Sequence, residues 1–239
     1  MRMPLGRDLD PATLERLEAL AKGAAGNAAE VAQLHELAFW RWVCVHGYSG
    51  GKPEDFPAFQ RQLMLGCYAH TRWPVDRFRE GRVFEFGCGP LGMVESLPCR
   101  EAVAFDPLNV HYSTLFENVR SPAIRYLSTA EELAAIGEFD LGICFNVLDH
   151  TQDARACFDV FWSKIRAGGS FILQINTVRE GFPRTAEHAR MHPSPLAEEA
   201  VLGWLRAASA DVDNMVADQP SADNEFFLMA WGTKTSGPA

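Results

Sequence analysis

The chain has 239 residues and a mass of 26.5 kDa, which predicts one core domain with an appendage rather than two full domains. Hydrophobic residues make up 47% and charged residues 22% of the sequence, a globular composition that excludes a largely disordered chain. The 31 acidic residues outnumber the 22 basic ones and give a net charge of −9, which argues against an extended nucleic-acid-binding surface.

Targeting segments and the spacing of cysteines indicate the cellular compartment in which a protein resides. The first residues lack the apolar core of a signal peptide, and no apolar run approaches the roughly 20 residues of a membrane span. The six cysteines are scattered and none forms a C-x-x-C pair, which is typical of reduced thiols and not of a zinc site. We expect a cytoplasmic protein without membrane contacts, nucleic-acid partners or a bound metal.

The first 80 residues carry helical patterns. A helix begins after Asp10-Pro11, a second spans Asn27–Val45, and a third starts near Pro57. The second helix is apolar nearly all round at its C-terminal end, so we expect it to be covered by other parts of the protein. No strand pattern occurs in this region. The sequence therefore predicts an N-terminal helical cap over residues 1–80, followed by a second domain over residues 81–239.

From Arg82 onward, short β-rich runs alternate with helical patterns, which indicates parallel βαβ units and a sheet covered on both faces. The predicted strands are Val83–Phe86, Ala102–Phe105, Ile124–Leu127, Phe139–Phe145 and Ser170–Ile175, and the predicted helices are Leu91–Leu97, Asn109–Val119, Thr129–Ala135 and Ala154–Arg166. A further helix opens at Ser194-Pro195. The last apolar runs, Val212–Val216 and Phe226–Trp231, predict an antiparallel hairpin.

The segment Val83–Gly92 passes from a strand through a glycine turn into a helical pattern. Glycines there let the backbone approach a ligand closely, and a helix start presents N–H groups. The G-x-G-x-x-G spacing also occurs in dinucleotide-binding folds. Glu85, two residues before the first glycine, and Pro90 after the second depart from that pattern. The segment resembles motif I, E/D-x-G-x-G, of class I S-adenosylmethionine (SAM) dependent methyltransferases, although Leu91 stands where many members have a third glycine.

Further segments resemble this family in the same order along the chain. Ala102–Asp106 is a predicted strand that ends in an acidic residue, as in the family. Ser128–Glu131 resembles the segment that lies along the adenine, and it also has the pattern of a helix capping box. Phe139–His150 resembles motif IV, and Lys164–Ser170 resembles the turn that leads into the fifth strand. A carboxylate at Asp106 can accept hydrogen bonds from ribose hydroxyls. The resemblance spans residues 82–176.

The resemblance implies an α/β fold: a Rossmann-like, doubly wound, seven-stranded and mostly parallel sheet with an antiparallel C-terminal strand. It implies S-adenosyl-L-methionine as cofactor and S-adenosyl-L-homocysteine as product. The implied cofactor-binding residues are Glu85, Gly87, Cys88, Gly89, Asp106, Pro107, Thr129, Ala130, Asn146 and Val147, with Tyr68 and Arg72 of the helical region as candidates for holding the methionine carboxylate.

Three residues are candidates for catalysis. His150 follows the fourth predicted strand, where the family places substrate-facing residues, and an imidazole titrates near neutral pH. Asp149 either orients His150 or caps the next helix. His192 lies in the long loop after the fifth strand, which borders the acceptor pocket in this fold. The alternative for His150 is packing or cofactor contact without proton transfer.

The loop over residues 177–193 is locally basic. It carries Arg179, Arg184 and Arg190 with two histidines, against two glutamates. One hypothesis is that it binds a carboxylate or phosphate on the acceptor, and the alternative is an ordinary solvated loop.

The resemblance implies a methyltransferase acting on the oxygen or nitrogen of a small molecule. The segment Phe39–Trp42 resembles methyltransferases of natural-product and glycan gene clusters, which implies an acceptor of that kind. We expect a monomer or homodimer. Two other functions stay open: a SAM-binding partner subunit without transferase activity, and an NAD(P)-binding reductase.

Overall fold

The computed structural model describes residues 28–48, 50–184, 189, 192–208, 210–217, 219–221 and 224–235. The helix predicted after Asp10-Pro11 lies outside these residues. Helix α1 (Ala28–His46) and helix α2 (Phe56–Ala69) confirm the second and third predicted helices, and a 3₁₀ turn at Pro53–Asp55 links them. None of the described helices is long and apolar enough to cross a bilayer.

The second part of the chain forms one seven-stranded sheet. Its elements in chain order are β1 (Arg82–Phe86), β2 (Glu101–Phe105), α3 (Asn109–Leu115), β3 (Ile124–Leu127), α4 (Ala130–Ala135), β4 (Phe139–Phe145), α5 (Ala154–Ser163), β5 (Ile165–Thr177), α6 (Glu198–Ala207), β6 (Ala210–Val216) and β7 (Phe226–Lys234). The strand order is β3-β2-β1-β4-β5-β7-β6. Strands β1 to β5 pair in parallel, whereas β7 runs antiparallel to both β5 and β6. This confirms the predicted fold class.

Two predicted helices differ from the structure after β1 and β2. The helix predicted over Leu91–Leu97 is wrong, because this segment holds only a 3₁₀ turn at Met93–Ser96. Its backbone N–H groups bond to the buried Glu85 side chain, and Pro98 restricts the residue before it to extended backbone. The helix predicted over Asn109–Val119 ends at Leu115 and continues as turns.

The boundary between α5 and β5 also lies earlier than predicted. Ile165 fits the apolar face of the preceding helix in sequence, but it is the first residue of β5 and pairs with Phe139 of β4. Helix α5 ends at Ser163, and Lys164 follows it in an α-helical conformation. Strand β5 is therefore 13 residues long, and a register shift between Phe139 and Leu141 accommodates its first part.

The core fills both faces of the sheet. On one face, Phe84 and Phe139 of the strands pack with Phe158 and Phe161 of α5 and with residues of α6. On the other face, strand residues pack against Met64 and Tyr68 of α2. A third cluster joins Leu37 and Val43 of α1 to Phe56 of α2 and to Tyr112 and Phe116 in and after α3. These contacts hold α1 and α2 beside the loops that follow the strands.

Gly232 on β7 is required by a close approach to β6. A Cβ atom at this position would lie 1.8 Å from the carbonyl oxygen of Asp211. We expect Gly232→Ala to lower the free energy of unfolding by about 1–3 kcal/mol, the cost of overpacking. Gly203→Ala in α6 is the control, because a Cβ there meets no atom within 4 Å and a helical alanine stabilises by about 0.5–1 kcal/mol. Urea unfolding measures both, and equal effects would contradict the packing described.

Candidate functional site

A cavity of about 700 Å³ opens at the carboxyl ends of β1 and β4. The strand order reverses between these two strands, and α/β sheets bind ligands at such a switch point. The loops after β1, β2 and β4 line one side of the cavity, and α1 and α2 line the other. Its volume lies within the range of about 300–1,000 Å³ found for small-molecule sites.

The loop after β1, residues 87–92, is the glycine loop. The N–H groups of Gly87 and Cys88 donate to the Phe105 carbonyl at 2.7 and 3.1 Å, which fastens the loop to β2. Gly87 has a φ of +71°, and a Cβ there would lie 2.3 Å from a methyl carbon of Val147. Gly89 has a φ of +55°, and a Cβ there would meet no atom within 4 Å. The backbone at Gly89 is therefore open to a ligand.

Asp106 at the end of β2 stabilises the glycine loop from below. Its two carboxylate oxygens accept hydrogen bonds from the N–H groups of Gly89 and Leu108, at 3.0 and 2.9 Å. Burial raises the pKa of Asp106 to about 6, although these hydrogen bonds oppose the shift. An ionised carboxylate has about four acceptor positions. Asp106, which lines the cavity, can therefore also accept bonds from a ligand.

Glu85 is buried beneath the glycine loop and lines the cavity. Its oxygens accept hydrogen bonds from the N–H groups of Met93 and Val94, at 2.9 and 2.8 Å. Burial raises its pKa to about 7. A Cβ at Gly92 would lie 2.2 Å from one of these oxygens, so the last glycine of the loop makes room for the carboxylate. The observed role of Glu85 is to shape the loop.

Asp149, His150 and His192 lie close together, and His150 and His192 line the cavity. We call these three residues the histidine cluster. The 3₁₀ turn Leu148–His150 after β4 holds two of them, and His192 comes from the segment after β5. His192 Nδ1 lies 2.6 Å from Asp149 Oδ2, and the two imidazole rings are 4.2 Å apart. Asp149 is 1% and His192 4% exposed. Ser194 secures the segment by donating its N–H to the Asp149 carbonyl.

Glu36 of α1 reaches the histidine cluster from the helical region. Its carboxylate lies 3.6 Å from His150 Nδ1 and accepts a hydrogen bond from Trp40 Nε1 at 2.5 Å. The i, i+4 spacing of Glu36 and Trp40 was visible in the sequence, but nothing there showed which face of α1 meets the cavity. Other lining residues that the sequence did not single out as ligand contacts are Gln33, Phe39, Gln60, Leu63, Met64, Gln174, Asn176 and Phe227.

Most predicted site residues lie together. The cavity is lined by Glu85, Gly87, Cys88, Gly89, Asp106, Pro107, Asn146, Val147, His150 and His192. Asp149 does not line the cavity, but its carboxylate contacts His192, which does. Asn146, with a φ of +57°, lies at the end of β4, and its side-chain nitrogen is 3.3 Å from His150 Nε2.

Four predicted cofactor contacts lie outside the cavity lining. Tyr68 is buried in the core and donates its hydroxyl to the Pro74 carbonyl at 3.0 Å. Arg72 lies on a separate, smaller depression. Thr129 caps α4 by accepting from the Glu132 N–H, so the capping box begins one residue later than predicted, and the exposed Ala130 is the first residue of that helix.

No family model and no curated protein matches the chain, whereas solved structures do. An N-methyltransferase, NodS from Bradyrhizobium japonicum, has a TM-score of 0.53 and 17% identity over 75% of this chain and 96% of its own. The 1,6-didemethyltoxoflavin-N1-methyltransferase of Burkholderia thailandensis, solved with that compound and S-adenosylhomocysteine, has a TM-score of 0.55 and 17% identity over 89% and 92%. A Haemonchus contortus phosphoethanolamine N-methyltransferase bound to SAM has a TM-score of 0.63 and 12% identity over 89% and 61%.

The fold is that of class I SAM-dependent methyltransferases. Within this methyltransferase fold, the described arginines of the predicted basic loop do not line the cavity. Arg179 pairs with Glu198 at 3.1 Å, and Arg184 donates to the His192 carbonyl at 2.6 Å. Arg190 lies outside the described residues.

The charge of the cavity is acidic. Among the described residues that line it there is no lysine or arginine, whereas Glu36, Glu85, Asp106 and Asp153 contribute carboxylates. The lining therefore favours a neutral or cationic ligand over an anionic one.

The buried pair of Asp149 and His192 shifts the titration of both groups. Burial alone would raise the pKa of Asp149, but the adjacent histidines and the hydrogen bond with His192 hold it below its ordinary value. Burial would likewise lower the pKa of His192, yet the bond to Asp149 and the surrounding carboxylates raise it. His192 therefore keeps its proton to a higher pH than an exposed histidine.

This raised pKa predicts a pH dependence of stability. The contribution of His192 is complete below its unfolded pKa of about 6.5 and is lost as the pH rises through its higher folded value. In buffer with a chelator, the free energy of unfolding should fall less steeply over this range in His192→Gln than in the wild type. His111→Gln, which changes an exposed histidine, should keep the wild-type slope. Identical slopes in the wild type and His192→Gln would contradict the shift.

Proposed function

We propose that this protein is a SAM-dependent methyltransferase that methylates an oxygen or nitrogen of a small molecule. One observation carries the proposal: a single cavity joins the open glycine loop and Asp106 to the histidine cluster. The first two features suit a nucleoside-bearing cofactor, and the cluster suits activation of an acceptor. The methyltransferase fold of the neighbouring solved structures supports this assignment.

The cavity fits the proposed cofactor. SAM, when bound, supplies an electrophilic methyl group on a sulfonium, and S-adenosylhomocysteine is left after transfer. Gly89 has no side chain to obstruct the nucleoside, and Asp106 has acceptor positions for ribose hydroxyls. The acidic lining suits a ligand with a sulfonium and an ammonium group. We assign no cofactor contact to Tyr68, Arg72, Thr129 or Ala130, because they lie outside the lining.

The acceptor side of the cavity is largely apolar. Residues of α1, α2 and the turn between them contribute aromatic and aliphatic surface, including Phe39, Trp40, Tyr48, Leu63 and Met64. We infer an acceptor with an apolar or aromatic body and a neutral or cationic charge. The anionic acceptor hypothesis is not retained, since the described arginines of the loop pair with protein groups instead.

Methylation of a hydroxyl or an ammonium requires the loss of a proton from the accepting atom. We assign the role of proton acceptor to the deprotonated form of His192, whose raised pKa makes it the stronger base once its proton is lost. Asp149 holds its Nδ1, so proton exchange would proceed through Nε2. His150 packs against the His192 ring, and Glu36 contacts His150. With SAM bound, the acceptor atom would form a bond to the methyl carbon as the bond between that carbon and sulfur breaks, and His192 would receive the acceptor proton on its imidazole.

Calorimetry with SAM and with NADH tests the cofactor. We expect saturable binding of SAM and none of NADH. Asp106→Asn should weaken SAM binding at least tenfold, because a charged hydrogen-bond acceptor to the ligand contributes about 1.5–3 kcal/mol. The control is Asp159→Asn, which changes an exposed carboxylate paired with Arg155 on α5. Binding of NADH alone would establish a reductase instead, and an unchanged Asp106→Asn affinity would remove the proposed ribose contact.

Transferase activity is tested by incubating the protein with SAM and a pool of small molecules from cell extract, with S-adenosylhomocysteine formation as the readout. His192→Gln should slow turnover by about 10²-fold or more while SAM affinity changes little, because it removes the proton acceptor. SAM binding with no turnover on any pool would favour a non-catalytic partner subunit.

A further inference from the structure

The histidine cluster has the composition of a metal site. Asp149, His150 and His192 each offer one ligand atom, and these atoms all lie within 4.8 Å of one another. Ligands at about 2.0–2.2 Å from a common ion are at most about 4.4 Å apart. Small side-chain rotations therefore bring the three atoms into coordination range. Two imidazoles and one carboxylate suit first-row transition ions better than magnesium or calcium.

A second observation points to a missing ligand at Asp149. Among the described residues, Asp149 Oδ1 has no hydrogen-bond partner, although the residue is 1% exposed. Buried polar atoms are rarely left without a partner, because their desolvation is then uncompensated. The other oxygen of the same carboxylate already contacts His192. A cation beside Asp149 would satisfy the carboxylate as a whole.

The charges around the cluster favour a cation too. Glu36 brings a second carboxylate to within 3.6 Å of His150 Nδ1, and the described lining of the cavity contributes no lysine or arginine. Carboxylates that contact ligating histidines typically orient the rings and increase their basicity. Glu36 is placed for that role, with Trp40 holding its other oxygen.

We propose that Asp149, His150 and His192 bind a divalent transition-metal ion at the acceptor end of the cavity. This differs from the expectation drawn from the sequence, in which His192 is far from the other two residues and no ligand set is apparent. The role of the ion rests on the proposed function. It would hold the oxygen or nitrogen of the acceptor and lower its pKa, so that the acceptor proton would pass to solvent water, and the ion would replace His192 as the group that generates the nucleophile.

The test is a titration of the full-length, chelator-treated protein with Co²⁺, followed by visible absorption. We expect one saturable equivalent with a spectrum of nitrogen and oxygen ligands and without intense thiolate charge-transfer bands. His150→Gln and Asp149→Asn should each weaken Co²⁺ binding at least tenfold. His111→Gln, which removes an exposed histidine outside the cavity, should bind as the wild type does.

Three results would overturn the proposal: no saturable binding, thiolate bands that locate the ion at a cysteine, or unchanged affinity in both cluster variants. Circular dichroism and SAM calorimetry check that the variants fold. If Asp149→Asn does not fold, His150→Gln decides, because His150 is only partly buried. If the protein binds Co²⁺ but not SAM, the proposed function is wrong and the metal site stands. If it binds SAM but not Co²⁺, the metal site is wrong and His192 stays the proposed proton acceptor.

Discussion

The buried carboxylate of Glu85 is the interaction on which the site depends. A buried carboxylate is tolerated only where hydrogen bonds replace water, and the N–H groups of Met93 and Val94 provide them. This requirement replaces a regular helix by a short turn and excludes a side chain at Gly92. The glycine loop is thereby held where Gly87 contacts Val147 of the β4 loop. The position of the glycine loop in the cavity therefore depends on the hydrogen bonds that the buried carboxyl group of Glu85 accepts.

The fold could largely be predicted from the sequence, because strands buried on both faces appear as short apolar runs separated by helical periodicity. The errors occur where a tertiary contact overrides a local pattern. Leu91–Leu97 has helical spacing, but Glu85 captures its N–H groups. Ile165 has the helical period of α5, yet its pairing with Phe139 begins β5.

The site could be predicted only in part, for a similar reason. Residues in the glycine loop and after β4 are near one another in sequence or lie at strand ends, so a motif places them. The contact between His192 and Asp149 depends on how the segment after β5 returns to the β4 turn, and no local pattern encodes that path. Glu36 reaches the cluster through the packing of α1. For Tyr68, predicted as a cofactor contact, the structure shows a buried side chain that donates its hydroxyl to the Pro74 carbonyl, which no local pattern indicates.

Part of the acidic charge of the protein, whose net charge is −9, lies in the cavity. Four of the carboxylates line a cavity whose described walls carry no lysine or arginine, while described arginines of the loop after β5 pair with acids outside it. The acidic lining is consistent with both parts of the proposed site. It suits a cationic cofactor at the glycine loop, and it suits a protonated imidazole or a metal ion at the histidine cluster.

A crystal structure with S-adenosylhomocysteine tests this account most directly. The account predicts that the ribose hydroxyls bond to Asp106 and that the sulfur lies in the same cavity, facing the cluster of Asp149, His150 and His192. A nucleoside bound elsewhere, or a sulfur separated from the cluster by protein, would contradict it.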